Sequence, residues 1–141
     1  MTSAPELPAT TLAGGCYSYM FSGCTSLTSA PKVLPATKLN DSCYNGMFSG
    51  CTSLTSAPEL PATTLAYSCY YSMFEGCASL TSTLKLPATT LADSCYKYMF
   101  SRCAKITELH YPASIENDST FKNLDGSPNF GANNATVYYD L

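Results

Sequence analysis

Apolar residues recur along this chain in one fixed order, set among small, hydroxyl-bearing and proline positions. The stretch Thr55 to Leu80 reads TSAPELPATTLAYSCYYSMFEGCASL, and near copies of it occupy Thr2 to Leu27, Thr28 to Leu54 and Thr81 to Ile106. The second copy is one residue longer, with Val33 as the insertion. A fifth, fading copy opens at Thr107 and keeps Leu109, Pro112, Ala113, Ile115 and Phe121. A fixed period in the range of roughly 20 to 50 residues predicts stacked supersecondary units, about three of which are needed before neighbours cover each unit's apolar face. The expectation is one continuous domain: four tandem repeats (2–27, 28–54, 55–80, 81–106), then a degenerate repeat and C-terminal cap over 107–141.

Within a copy, the LTSAPELPA segment places Leu and Ala between small residues and is punctuated by prolines. Proline lacks an amide hydrogen and pushes its predecessor toward extended conformations, so Pro5, Pro31 and Pro58 predict short, extended pieces with little regular ladder. The fourth copy reads Thr83-Leu84-Lys85-Leu86 at this place and predicts the best strand. A threonine of the PATTLA segment can cap a short helical turn. The CYxxMFxxC segment then spaces Cys16, Met20 and Cys24 at i, i+4 and i+8, which predicts a one-faced helix of about two turns. Gly23, Gly50 and Gly76 suit a left-handed exit from it; Arg102 stands there in the fourth copy and predicts a strained or reshaped exit. Each copy reads as strand, turn, short helix, turn. The fold class expected is an α/β repeat solenoid resembling leucine-rich repeats, with short parallel strands on one side and short helices on the other. The Ala135 to Tyr139 alternation predicts a closing strand after a loop over Asp125–Asn134.

Stacking in register turns equivalent residues into columns about 4.8 Å apart. The predicted core columns are Met20, Met47, Met73, Met99; Phe21, Phe48, Phe74, Phe100; the first cysteines Cys16, Cys43, Cys69, Cys95; and the second cysteines Cys24, Cys51, Cys77, Cys103. Leu12, Leu39, Leu65 and Leu91 make another, and Tyr17, Tyr44, Tyr70 and Tyr96 a column of half-buried packing residues.

Charge narrows the partners. Charged residues make up 12% of the chain, the formal net charge is -3, and the seven Lys and Arg form no run. Nucleic acid and anionic membrane both demand clustered cations, so neither is expected. No apolar stretch approaches the ~18 residues of a spanning helix, so no membrane insertion is expected, and no basic-plus-apolar leader opens the chain. The array starts mid-pattern, which fits a piece cut from a longer secreted protein as well as a true start at Met1.

The residues MFSGCTSLTSAP, at Met20 to Pro31 and again at Met47 to Pro58, carry a resemblance to BspA-like (Treponema-type) leucine-rich repeats over about Thr2 to Pro112. The chain looks like a divergent branch, similar to repeats of gut-bacterial and phage-encoded surface proteins. Its period is longer than that family's usual one. Met20, Met47, Met73 and Met99 stand where the family has a small residue, and Cys16, Cys43, Cys69 and Cys95 where it has an apolar one. The resemblance implies a parallel-strand solenoid acting in adhesion or recognition at a cell or virion surface, and implies no enzyme activity.

Eight cysteines are the strongest chemical signal. Zinc thiolate sites use closely spaced pairs, unlike the i, i+8 separation here, and no metal or other cofactor is expected. That separation spans about 12 Å along a regular helix, while a disulfide needs alpha carbons within about 7 Å. Pairing within a copy therefore requires the helix to break before the second Cys; buried free thiols are the other reading. His110 has no nucleophile or carboxylate at a telling spacing, and the ten acidic residues include no close catalytic pair. Asp125 to Asn134 is rich in oxygen ligands suited to calcium, but turns use the same residues. Asn40, Asn117 and Asn134 open short glycosylation sequons.

Where the copies disagree, they do so before and within the predicted helix: Gly14-Gly15, Asp41-Ser42, Tyr67-Ser68, Asp93-Ser94, then Ser18-Tyr19, Asn45-Gly46, Tyr71-Ser72, Lys97-Tyr98. Solvent-facing drift gives such a pattern, and so does an adaptable contact surface, because tyrosine offers large rigid area with one polar end. If the chain holds a ligand, the expected contact residues are Tyr19, Tyr67, Tyr71 and Tyr98, and the target a protein or glycan. The other reading is head-to-tail self-association through an end of the array, giving fibres or a virion appendage.

Overall fold

The computed structural model describes residues 1–120 and 135–141. The expected loop over Asp125–Asn134, with its calcium reading, falls outside them. Successive copies lie against each other as coils joined by hydrogen bonds one repeat apart, with the apolar columns between them.

One side of the coils is extended. Parallel bridges link Ser3 to Ser29 and Ser29 to Ser56, Val33 to Glu59, and Lys38 to Thr64 to Thr90. They stay isolated because the prolines interrupt the ladder on either side of them. Regular strands form where the prolines give way: β1 (Leu84–Lys85), β2 (Glu108–His110) and β3 (Thr136–Tyr138) make a parallel sheet in that order. β1 lies within the segment expected to make the best strand, and β3 within the Ala135–Tyr139 alternation. Leu84 pairs with Leu109 and Lys85 with His110; Leu109 in turn pairs with Val137.

The other side is not helical, which corrects the fold read from the sequence. The sole helical element among the described residues is a 3-10 turn, Ala113–Ile115. Each CYxxMFxxC segment is instead a ribbon of overlapping turns whose amides alternate in direction. Cys16, Ser18, Met20, Ser22 and Cys24 donate N–H to the carbonyl three residues back in their own coil. Gly15, Tyr17, Tyr19, Phe21 and Gly23 donate to Asp41, Cys43, Asn45, Met47 and Ser49 of the next coil, at 2.8–3.0 Å. Every fourth residue is left-handed: Gly15, Tyr19 and Gly23, then Ser42, Gly46 and Gly50, Ser68, Ser72 and Gly76, Ser94, Tyr98 and Arg102, with φ between 51° and 77°. An α-helix would close its amides within its own turns and leave no intercoil ladder. The ribbon satisfies both directions, and its four-residue unit produces the i, i+4, i+8 stripe that imitates a helix.

The ribbons set the core. Phe21, Phe48, Phe74 and Phe100 stack with centroids 5.5, 5.6 and 5.9 Å apart, and Tyr17, Tyr44, Tyr70 and Tyr96 at 6.0, 5.9 and 5.7 Å. Tyr44, Tyr70 and Tyr96 are fully buried, beyond the half-burial expected. Met47, Met73 and Met99 are buried, as are six cysteines. The first coil departs from the expectation: Cys16 is exposed, Met20 is 48% exposed and Cys24 half-buried. Among the described residues no coil lies on their outer side.

All eight cysteines are free thiols. The second column has a polar role: Cys51, Cys77 and Cys103 donate S–H to the carbonyls of Phe21, Phe48 and Phe74 in the preceding coil, at 3.1, 3.1 and 2.9 Å. Those same carbonyls accept the N–H of Cys24, Cys51 and Cys77, so each serves two donors. Burial pushes the thiols of Cys43, Cys51 and Cys95 up to about 11 and that of Cys103 to about 12. They therefore remain protonated, inert donors at neutral pH.

Candidate functional site

The variable positions are divided between surface and interior: Tyr19, Asp41, Tyr67, Asp93 and Tyr98 are exposed, whereas Gly46, Ser68 and Ser72 are buried. Tyr19 and Tyr67 are each 56% exposed and Tyr98 is 44% exposed; Tyr71 is half-buried. Tyr71 and Tyr98 meet edge to face at 5.7 Å, and the ammonium of Lys97 stands 5.4 Å from the Tyr98 centroid. Tyr67 lies one ribbon unit before Tyr71, and its N–H is bonded to Asp41 Oδ1 at 3.2 Å. Tyr19 is not part of this group: it lies two coils away with its ring over Gly46, at a place where a Cβ would collide with it. The structure thus brings Tyr71 and Tyr98 together and keeps Tyr19 apart.

His110 sits between carboxylates. Its Nδ1 is 2.9 Å from Asp140 Oδ1, its Nε2 3.5 Å from Glu108 Oε2, and its ring stacks on Tyr138 at 4.9 Å. The Asp140 carboxylate holds the imidazole above its ordinary value. The two carboxylates occupy opposite ring nitrogens, so the three groups do not converge on one point; they tie β2 to the segment after β3. Among the described residues no group of three or more His, Cys, Asp or Glu is arranged to hold a metal ion.

A third feature had no counterpart in the sequence reading. Between the third and fourth coils, on the extended side, a cavity of about 550 Å³ opens between Ala57–Pro61 and Ser82–Lys85, with Pro87 and Leu141 at its margin. Its one sequence signal is Pro58 opposite Leu84: proline has no N–H for the next coil at a place where the fourth coil forms strand β1.

The profile of the BspA type leucine rich repeat region matches residues 16–130 in six copies. The chain belongs to that family. No curated protein and no solved structure matches it. The resemblance carried by MFSGCTSLTSAP is thereby established, and the stacked parallel bridges and strands of this BspA-type protein fit a repeat solenoid. Repeats of this type generally serve protein interaction or adhesion, are commonly found in surface proteins and are typically non-catalytic. No helix among the described residues is long and apolar enough to cross a membrane.

Proposed function

We propose that this BspA-type chain is a non-catalytic binding module at a cell or virion surface, and that it recognises protein or glycan through Tyr67, Tyr71 and Tyr98, with Tyr19 as an outlying contact. The observation that carries the reading is the contrast between two sets of tyrosines. Tyr44, Tyr70 and Tyr96 are buried in identical positions of every full inner coil, whereas Tyr67, Tyr71 and Tyr98 stand exposed or half-exposed at positions that differ from coil to coil. A ring face beside a polar rim of Asp41, Asp93 and Lys97 suits the stacking and hydrogen bonding of sugars as well as a protein partner. Labelled protein, wild type and Tyr71→Ala/Tyr98→Ala, applied to glycan and surface-protein arrays tests this. Retention of every wild-type signal by the double variant would sink the placement of the site.

One observation favours the assembly reading as a second possibility. The outer side of the first coil turns the carbonyls of Gly14, Cys16, Ser18, Met20 and Ser22 outward, and no donor among the described residues reaches them. Their equivalents in the next three coils' interfaces accept the intercoil bonds, so this side is a ready template for another coil, from the same chain or another molecule.

A further inference from the structure

The cavity between the third and fourth coils lies where the intercoil ladder loses two rungs. Between the second and third coils, Glu59 N–H reaches Lys32 O at 2.9 Å and Leu34 N–H reaches Glu59 O at 3.0 Å. Between the fourth and fifth, Leu86 N–H reaches His110 O at 2.9 Å. Amides alternate in direction along an extended chain, so Lys85, one residue before Leu86, turns its N–H and C=O back toward the third coil. The equivalent partners there are Pro58 C=O and Leu60 N–H, yet neither bond forms. The coils separate only locally, since Thr64 and Thr90 remain bridged and Ala57 N–H still reaches Ser82 Oγ at 3.2 Å. Glu59 and Lys85, of opposite charge at equivalent positions, form no ion pair with each other.

We propose that this notch is a docking site for an extended peptide segment, whose main chain takes up the N–H groups of Leu60 and Lys85 and the carbonyls of Pro58 and Lys85. The notch is a gap between the third and fourth coils at a place where the second and third coils, and the fourth and fifth, are joined by main-chain bonds, and what is missing from it is main chain. Three residues in extended conformation, running parallel to the coils, present the required groups: the middle residue's N–H and C=O face one coil and its neighbours' face the other. The walls, Pro58, Pro61, Leu84, Pro87 and Leu141, suit apolar or β-branched side chains, and Glu59 and Lys85 rim the opening. The volume lies within the roughly 300–1,000 Å³ of ordinary ligand sites. This site shares no residue with the tyrosine surface, so either can fail without the other.

The test uses the full chain and a blocked hexapeptide of alternating Thr and Val, acetylated and amidated at its ends. Amide resonances are followed by NMR, and affinity by titration. The proposal expects the Leu60 and Lys85 amides to shift and gain protection from exchange, and an analogue with one central amide replaced by an ester to bind at least tenfold more weakly. Thr83→Trp, which fills the notch from an exposed position, abolishes binding with the amide spectrum of the other coils unchanged. Should that variant unfold, the ester analogue still decides. Absence of any shift at Leu60 and Lys85 up to millimolar peptide, or equal binding of ester and amide, overturns the proposal.

Discussion

Gly46 and Arg102 occupy the same kind of backbone position with opposite consequences. Both are left-handed, at φ 61° and 60°. A side chain in that region costs roughly 1–2 kcal/mol, which glycine avoids. Gly46→Ala therefore destabilises the fold by about 1 kcal/mol and also displaces the ring of Tyr19; chemical denaturation measures the first and the Tyr19 ring resonances the second. Arg102→Gly works the other way. It relieves the backbone but gives the unfolded chain about 0.4–1 kcal/mol of extra freedom. It also removes the ion pair to Glu75 at 2.9 Å, whose 75%-exposed arginine makes it worth little in water. The net expectation is a small gain, below about 1 kcal/mol; a loss of stability would mean that the freedom given to the unfolded chain and the lost Glu75 pair together outweigh backbone strain. At His110 the sign follows from a value raised by Asp140 in the folded state. Its contribution is full below the ordinary histidine value of 6.5 and disappears as pH rises through the raised one. Stability of the wild type relative to His110→Gln should accordingly shrink from mildly acidic to mildly alkaline pH, while a constant difference would leave the clasp without a charge.

The turn ribbon is the element on which the sequence reading went wrong. Cys16, Met20 and Cys24 share a side of the chain, as the spacing said, but a period of four also arises from a turn unit with one left-handed residue in every four. The signal that separates the two was present: Gly15 and Gly23, Gly46 and Gly50 sit four or eight residues apart, and glycine at such intervals is poor helix and good left-handed turn. What hid it was the replacement of those glycines by Ser42, Ser68, Ser72, Ser94, Tyr19, Tyr98 and Arg102, residues that take a left-handed conformation only because stacked neighbours impose it. The columns, β1 and β3 were legible because they depend on periodicity and alternation alone. The notch was not, because it depends on how one coil's proline meets the next coil's strand. Far-UV circular dichroism gives the element a direct check: the spectrum should lack the double minimum of an α-helix. The thiols give another. An aromatic disulfide reagent should label Cys16 fast, Cys24 more slowly and the other six only on unfolding. The raised thiols also set the alkaline limit. Their contribution is complete below the ordinary value of 9.0 and is lost as pH climbs through about 11, so thermal stability should fall across that interval.

At the scale of the molecule, the stack is a one-dimensional array in which each coil is stabilised by its neighbours, so its ends differ in kind from its middle. The middle coils bury Met47, Met73, Cys43 and Cys69 completely, while the first leaves Met20 and Cys16 in water beside five outward carbonyls. Covering that side would bury the residue types the inner interfaces bury and supply the donors they use. Light scattering on a sizing column over a hundredfold range of concentration reads whether another copy does so. Growth into an open-ended series, abolished by Met20→Lys, would identify the first coil as a docking side, since a charge placed there cannot be buried without a partner. A monomer of 15.1 kDa throughout would mean that self-association is not the use of this side, and would leave the tyrosine surface as the reading of function. The Met20→Lys variant sharpens the choice because Met20 is already solvent-exposed: it should leave the isolated fold within about 0.5 kcal/mol of the wild type, so a change in assembly without a change in stability points to contact between molecules and not to damage within one.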